Sequence, residues 1–224
     1  SLRGAVDLIY IDPPFDSKAD YRTKVQLPGV EIEQRPTVIE QFAYSDTWSD
    51  GTASYLRMIV PRLILMRELL AETGSIYVHL DWHIGHYVKL ALDEIFGRVN
   101  FLRELIWSFD TKSGYKSAVN NWIRSHDSIY FWAKDKSSVS FRKEYLPYDE
   151  KYLDRFKKKD ADGRLYRDDR GSGVKQYLDE LKGVAVSDVW SDIKSFQQDA
   201  TSLEYLGYST QKPAKLLQRI INAS

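Results

Sequence analysis

Asp12, Pro13, Pro14 and Phe15 set a carboxylate and an aromatic ring on either side of two prolines, directly after the apolar run Val6-Asp7-Leu8-Ile9-Tyr10-Ile11. The run is short and rich in β-branched residues, which suits a central strand buried on both faces of a parallel sheet. Neither proline can donate a ladder hydrogen bond, and Pro13 biases the residue before it toward an extended conformation, so the strand ends at Asp12. In open α/β sheets ligands bind beyond the carboxyl ends of the strands. Asp12 and Phe15 therefore sit where chemistry is usually done. The same four residues would equally serve a loop that prolines merely stiffen, and taken alone they do not choose between the two.

The elements that must hold this loop can be traced along the chain. Residues 16–50 are polar with little periodicity and read as a long functional loop, with Tyr21, Phe42, Tyr44 and Trp48 available to line a groove. Tyr55, Ile59, Leu63, Met66 and Leu70 recur at helical spacing, giving an amphipathic helix from Thr52 that ends at Gly74, with Pro61 bending it or marking a restart. Ser75 to Asp81 form a second buried strand, and a second helix carrying Tyr87, Leu90, Ala91, Asp93, Ile95 and Phe96 closes at Gly97. This alternation favours a parallel α/β sheet with right-handed crossovers. Strands at Phe101–Phe109 and Ser128–Ala133 follow. The tail from Pro213 to Ile221 is helical, with Leu216, Leu217, Ile220 and Ile221 on its apolar face.

Composition bounds the reading. The 224 residues are 43% hydrophobic with six tryptophans, which argues for a folded domain. With no cysteine, disulfides and thiolate metal sites are excluded. Lys plus Arg and Asp plus Glu balance at 32 each, so a nucleic-acid partner would be met by a local patch. No apolar stretch is long enough for a membrane span and the first residues do not resemble a signal peptide, so a soluble cytoplasmic protein is expected, with Ser1 in place of a start methionine as in a trimmed chain. From residue 135 to about 200 the charges thicken: Arg155-Phe156-Lys157-Lys158-Lys159 is a basic run and Asp168 to Gly173 a turn, as in an inserted lobe. His83 and His86 are three apart but lack an evident third ligand, so no metal site is expected. Trp107, Trp122 and Trp132 read as core.

Asp12-Pro13-Pro14-Phe15 after an apolar strand, with Asp93-Glu94-Ile95-Phe96-Gly97, Asp168-Asp169-Arg170-Gly171 and Ser209-Thr210-Gln211-Lys212-Pro213 in that order, resembles the β-class amino-group DNA methyltransferases. The modification subunits of type III restriction systems are similar. The resemblance implies an α/β fold, a partial S-adenosylmethionine-dependent methyltransferase (Rossmann-like) sheet with an inserted target-recognition lobe. It assigns residues 1–134 to the catalytic half, 135–207 to the lobe and 208–224 to the start of the cofactor-binding half. It also implies methyl transfer from S-adenosylmethionine to N6 of adenine in double-stranded DNA after base flipping. Asp12 and the Pro13 carbonyl would accept the two amine hydrogens, aided by Pro14, while Phe15, where the family more often has tyrosine, would stack on the flipped base. An acid at the first position favours adenine, because N4-cytosine relatives usually carry serine there. Asp12, Thr210, Gln211 and Lys212 would lie by the cofactor, although Lys212 could simply cap local structure. Lys157, Lys158, Lys159 and Arg170 would contact DNA, the lysines alternatively being a solvated charge run and Arg170 a salt-bridge partner of Asp168.

The family's glycine-rich Phe-x-Gly-x-Gly turn is not found before the chain stops at Asn222-Ala223-Ser224. The expectation is a chain truncated before that cofactor-binding motif, with the strand ending at Asp12 lacking a neighbour and its open edge favouring a homodimer. A restriction subunit is a further partner implied by the resemblance. The alternatives are a non-catalytic fragment that binds DNA or a partner, and an N4-cytosine enzyme.

Overall fold

The apolar run behind Asp12 forms β1 (Val6–Ile11), and it is bound to β4 (Leu70–Leu80), which is buried without a break from Gly74 to Leu80. The computed structural model describes residues 2–14, 23–27, 30–34, 51–109, 120–168, 173–199, 201–206 and 210–224. They divide into two compact units. One comprises residues 1–141, 188–222 and 224, the other residues 142–187 with Ala223.

In the first unit β2 (Thr23–Leu27) pairs antiparallel with β3 (Val30–Gln34). This hairpin falls in the polar stretch 16–50 for which the sequence predicts a loop. Its signal was alternation, Val25, Leu27, Val30 and Ile32 flanking Pro28-Gly29, a hairpin pattern too short to stand out. Helix α1 (Thr52–Leu69) runs unbroken through Pro61. The helix does not extend to Gly74, because Leu70 already begins β4. Gly74 instead lies where β4 slips against β1: Val6 pairs with Leu70 but Leu8 with Ser75. A Cβ at Gly74 would come within 2.8 Å of the Val6 carbonyl oxygen, so only glycine fits.

Helix α2 (Gly85–Phe96) closes at Gly97, whose φ of 84° suits glycine. Its buried face is Val88, Leu92 and Phe96, whereas Tyr87 and Leu90 of the expected set are exposed. Strands β5 (Phe101–Ser108), β6 (His126–Ala133) and β12 (Val189–Trp190) complete a five-stranded sheet of order β1-β4-β6-β5-β12. β1 runs parallel to β4 and β12 parallel to β5, but β6 is antiparallel to both its neighbours. The sheet is thus mixed rather than parallel: no described helix joins β5 to β6, so the chain returns antiparallel. Among the described residues β1 is an edge strand, and its Ile9, Tyr10 and Ile11 are half-buried rather than enclosed on both faces.

Residues 188–206, which the resemblance assigns to the lobe, supply β12 and buried Ile193 to the first unit, ahead of helix α4 (Ala214–Ala223). The second unit is therefore shorter than residues 135–207. Its elements are β7 (Tyr145–Leu146), α3 (Glu150–Leu153), β8 (Lys158–Lys159), β9 (Leu165–Asp168), β10 (Lys175–Tyr177) and β11 (Val184–Ala185). They make a β10-β9-β8 sheet and a β11-β7 pair. Phe156 is the one buried hydrophobic among the described residues of 142–187. Arg164 lies 4.0 Å from the Tyr177 ring centre and donates to Asp179 and Glu180, so cation–π and ionic contacts supplement a small core.

One face of the central sheet, carrying Ile76, Val78, Leu80, Tyr130 and Trp132, packs with Tyr55, Ile59 and Leu63 of α1 and Val88, Leu92 and Phe96 of α2. Trp107 and Trp132 are buried as expected, but Trp122 is 95% exposed.

Candidate active site

Asp12 leaves the sheet one residue beyond the last β1–β4 pair, Ile11 with Val78. Its Oδ2 is ion-paired with the ammonium of Lys212, 200 residues away in the sequence, and both side chains are largely covered, at 21% and 15% exposure. Lys212 Nζ also donates to the Thr210 carbonyl at 3.4 Å. The structure thus brings together Asp12 and Lys212 and places Pro13, Pro14 and Thr210 beside them in the chain. Phe15 lies outside the described residues.

Several contacts aim Lys212. The Gln211 carboxamide accepts from the Leu206 N–H at 2.9 Å and donates to the Glu204 carbonyl at 2.8 Å, so its hydrogen bonds go to the 204–206 loop. The Glu204 carboxylate accepts the Ala214 N–H at the start of α4, satisfying a donor that a helix end leaves open. Farther along α4, Arg219 donates twice to Asp192, at 2.8 and 2.6 Å, while its guanidinium lies 5.3 Å from the Trp190 ring centre. Those bonds pull the Asp192 carboxyl down to about 2. Lys215 adds a bond to the Asp192 carbonyl at 3.0 Å. This fork joins α4 to the segment after β12. None of Asp192, Glu204 or Arg219 was picked out from the sequence, since each belongs to a pair whose partners are far apart in number.

A second group missed from the sequence lies behind Asp12. His79 on β4 is fully buried between Tyr10 and Asp127. Burial, opposed by the charge of Asp12 and reinforced by Lys212 and Arg124, pushes its pKa down to about 3. The clue available was alternation: Tyr77 and His79 share the face of β4 opposite Ile76, Val78 and Leu80.

The remaining candidates are placed as follows. His83 precedes α2; its backbone N–H and Nδ1 each meet an oxygen of Asp81 at 2.9 Å, and its ring stacks on exposed Trp82. Among the described residues no group of three or more His, Asp or Glu could hold a metal ion. Lys157, Lys158 and Lys159 are exposed, and Lys158 is ion-paired with Asp168. Arg170 lies outside the described residues. No described helix is long and apolar enough to cross a membrane.

A carboxylate thus stands at a strand's carboxyl end, paired with a distant lysine and followed in the chain by two prolines. The DNA methylase family model matches residues 6–224, and the chain belongs to that N6/N4 methylase family. Among curated proteins it is 28% identical over 145 residues to the type III restriction-modification enzyme EcoP15I Mod subunit of Escherichia coli, covering 60% of this chain and 21% of that one. It is 26% identical over 264 residues to the type II methyltransferase M.EcaI of Enterobacter cloacae, covering 97% of this chain and 54% of the relative. The chain therefore spans about a fifth to a half of the length of these relatives. The solved M1.HpyAVI–SAM complex aligns with a TM-score of 0.44 and 15% identity, over 75% of this chain and 60% of that one.

Proposed function

We propose that the protein methylates the N6 amine of adenine in double-stranded DNA, with S-adenosylmethionine as methyl donor. The observation that carries this is the Asp12–Lys212 pair at the carboxyl end of β1, in a chain of the N6/N4 DNA methylase family. The donor, when bound, supplies an electrophilic methyl group on a sulfonium. The residues present fit its amino-acid part by charge: Asp12 offers an anion for its cationic groups, and Lys212 a cation for its carboxylate.

The target amine is a poor nucleophile because its lone pair is conjugated into the ring. Asp12 Oδ1 accepts one amine hydrogen and the Pro13 carbonyl the other, which localises the lone pair and aims it. Lys212, bound to Oδ2, fixes the carboxylate's rotation. With the donor bound, the new N–C bond would form as the donor's S–CH3 bond breaks to leave a neutral thioether, and Asp12 would pass one amine proton toward water, so no covalent enzyme intermediate is needed. Pro14 stiffens the loop, and Phe15 supplies a ring on which an extruded base stacks, worth about 1–3 kcal/mol. Thr210 and Gln211 hold the segment that delivers Lys212. The basic run Lys157–Lys159, with Arg170, contacts phosphates, which position DNA without reading its sequence.

Asp12→Ala in the full-length protein tests this assignment. Methyl transfer to DNA should fall by at least about 100-fold, while DNA affinity measured by fluorescence anisotropy stays within about twofold of wild type. Undiminished methyl transfer would remove Asp12 from the chemistry.

A further inference from the structure

We infer that Tyr10, His79 and Asp127 form a directional hydrogen-bond relay across β1, β4 and β6 that positions the Asp12 end of β1 for methyl transfer. The inference rests on the methyl-transfer reading above and adds residues that do not themselves touch the substrate.

The relay crosses three strands through side chains alone. Tyr10 Oη lies 2.8 Å from His79 Nδ1, and His79 Nε2 lies 3.3 Å from Asp127 Oδ2. The Arg124 guanidinium closes the far end on Asp127 Oδ1. Its chemistry allows one order of donors. An ionised carboxylate only accepts, so Nε2 carries the imidazole proton. Nδ1 then has a lone pair and no proton, so the Tyr10 hydroxyl must donate to it.

The surroundings lock that order. Asp12 and Lys212 act on His79 from the site side, Asp127 from β6 and Arg124 from the segment that leads into it, while Trp107 meets the ring edge-on at 5.7 Å. Burial, reinforced by Lys212 and Arg124, outweighs the opposing charge of Asp12 and holds the imidazole neutral, with its pKa pushed down to about 3. Burial, and then the nearby charge of Asp12, raise the Tyr10 pKa, so its hydroxyl keeps the proton it donates. A polar row inside a sheet costs desolvation that apolar side chains would avoid. What the row supplies is direction.

The tether acts at the end of β1, where the ladder to β4 stops at Ile11. His79 stands one residue past Val78, the partner of Ile11. Tyr10 lies near the end of the ladder, two residues before Asp12. Anchoring the Tyr10 ring through its hydroxyl to β4 therefore limits twisting of the strand end from which Asp12 projects.

Two measurements test the relay. In long-range proton–nitrogen spectra of the 224-residue chain, His79 should show protonated Nε2 and bare Nδ1, unchanged between about pH 5 and 8, and Tyr10→Phe should move the Nδ1 resonance. In the full-length protein acting on double-stranded DNA, Tyr10→Phe should lower kcat by about 10- to 100-fold, the cost of a small misplacement of a reacting group. KM for DNA and for S-adenosylmethionine should be unchanged. His79→Gln, which can still donate toward Asp127 but offers Tyr10 no ring nitrogen, should match it, and the double variant should be no worse than either. A titrating or Nδ1-protonated His79 would overturn the relay, as would a normal kcat for Tyr10→Phe beside an inactive Asp12→Ala. If Asp12→Ala were fully active, the methyl-transfer reading and the task given to Tyr10 would both fall, whereas the spectra would still report the hydrogen-bond order. The two failures are thus distinguishable.

Discussion

Along β4, Ile76, Val78 and Leu80 face helices α1 and α2, whereas Tyr77 and His79 face the other way, into a layer of rings and hydrogen bonds. On the helix side every strand residue named in the core is hydrophobic, and its value lies in area removed from water. On the opposite side Tyr77 stacks on Phe131 at 4.2 Å, its hydroxyl meets Ser224 Oγ at 3.0 Å, and Trp107 donates its indole N–H to the Ile193 carbonyl at 2.8 Å. One face holds the sheet together by non-directional burial. The other is held by ring stacks and hydrogen bonds that have an orientation, so changes to the two faces should be felt in different measurements.

The largest effect on folding should come from the apolar face. Leu63, fully buried on α1, should cost about 2–5 kcal/mol on change to Ala through lost transfer energy and a residual cavity. In denaturant titration this appears as a lower midpoint, and surviving folded protein should keep its His79 spectrum. Arg219→Met, which breaks the charged fork to Asp192, should cost about 1.5–3 kcal/mol. Its pH dependence carries a sign. Because the folded-state Asp192 carboxyl is pulled from 3.8 to about 2, the fork's contribution is complete above the unfolded value and lost as pH falls through the folded one. The stability gap between wild type and Arg219→Met should therefore shrink in acid titration below about pH 4, and a gap that widened there would contradict the assignment. The smallest effect is expected for Tyr77→Phe, which removes one hydroxyl and keeps the ring stack. About 0.5–1.5 kcal/mol should be lost in the same titration. A cost as large as that of Leu63→Ala would erase the distinction between the faces.

The apolar runs behind β1, β4, β5 and β6, the periodicity of Tyr55, Ile59 and Leu63, and the proline stop after Asp12 were all readable, because each signal is local and repeats. The direction of β6 was not, since parallel and antiparallel neighbours draw on the same residue types. Trp122 illustrates another limit: its type predicts burial, but exposure depends on which strand the following residues join. At the site, Asp12 and Lys212 were singled out by motif, yet their ion pair spans 200 positions and only the fold supplies it. His79 was read only as part of a buried strand. Its partners Tyr10 and Asp127 lie on different strands, and a polar residue in a strand pattern does not say whether its hydrogen bonds are met within the sheet.

The central claim is that Asp12 orients an adenine amine for methylation. Nucleoside analysis by mass spectrometry, after the full-length protein has acted on unmethylated double-stranded DNA with S-adenosylmethionine, tests it most directly. The account predicts N6-methyldeoxyadenosine from the wild type and none above background from Asp12→Ala. N4-methyldeoxycytidine as the product, or equal N6-methyldeoxyadenosine from both proteins, would contradict it.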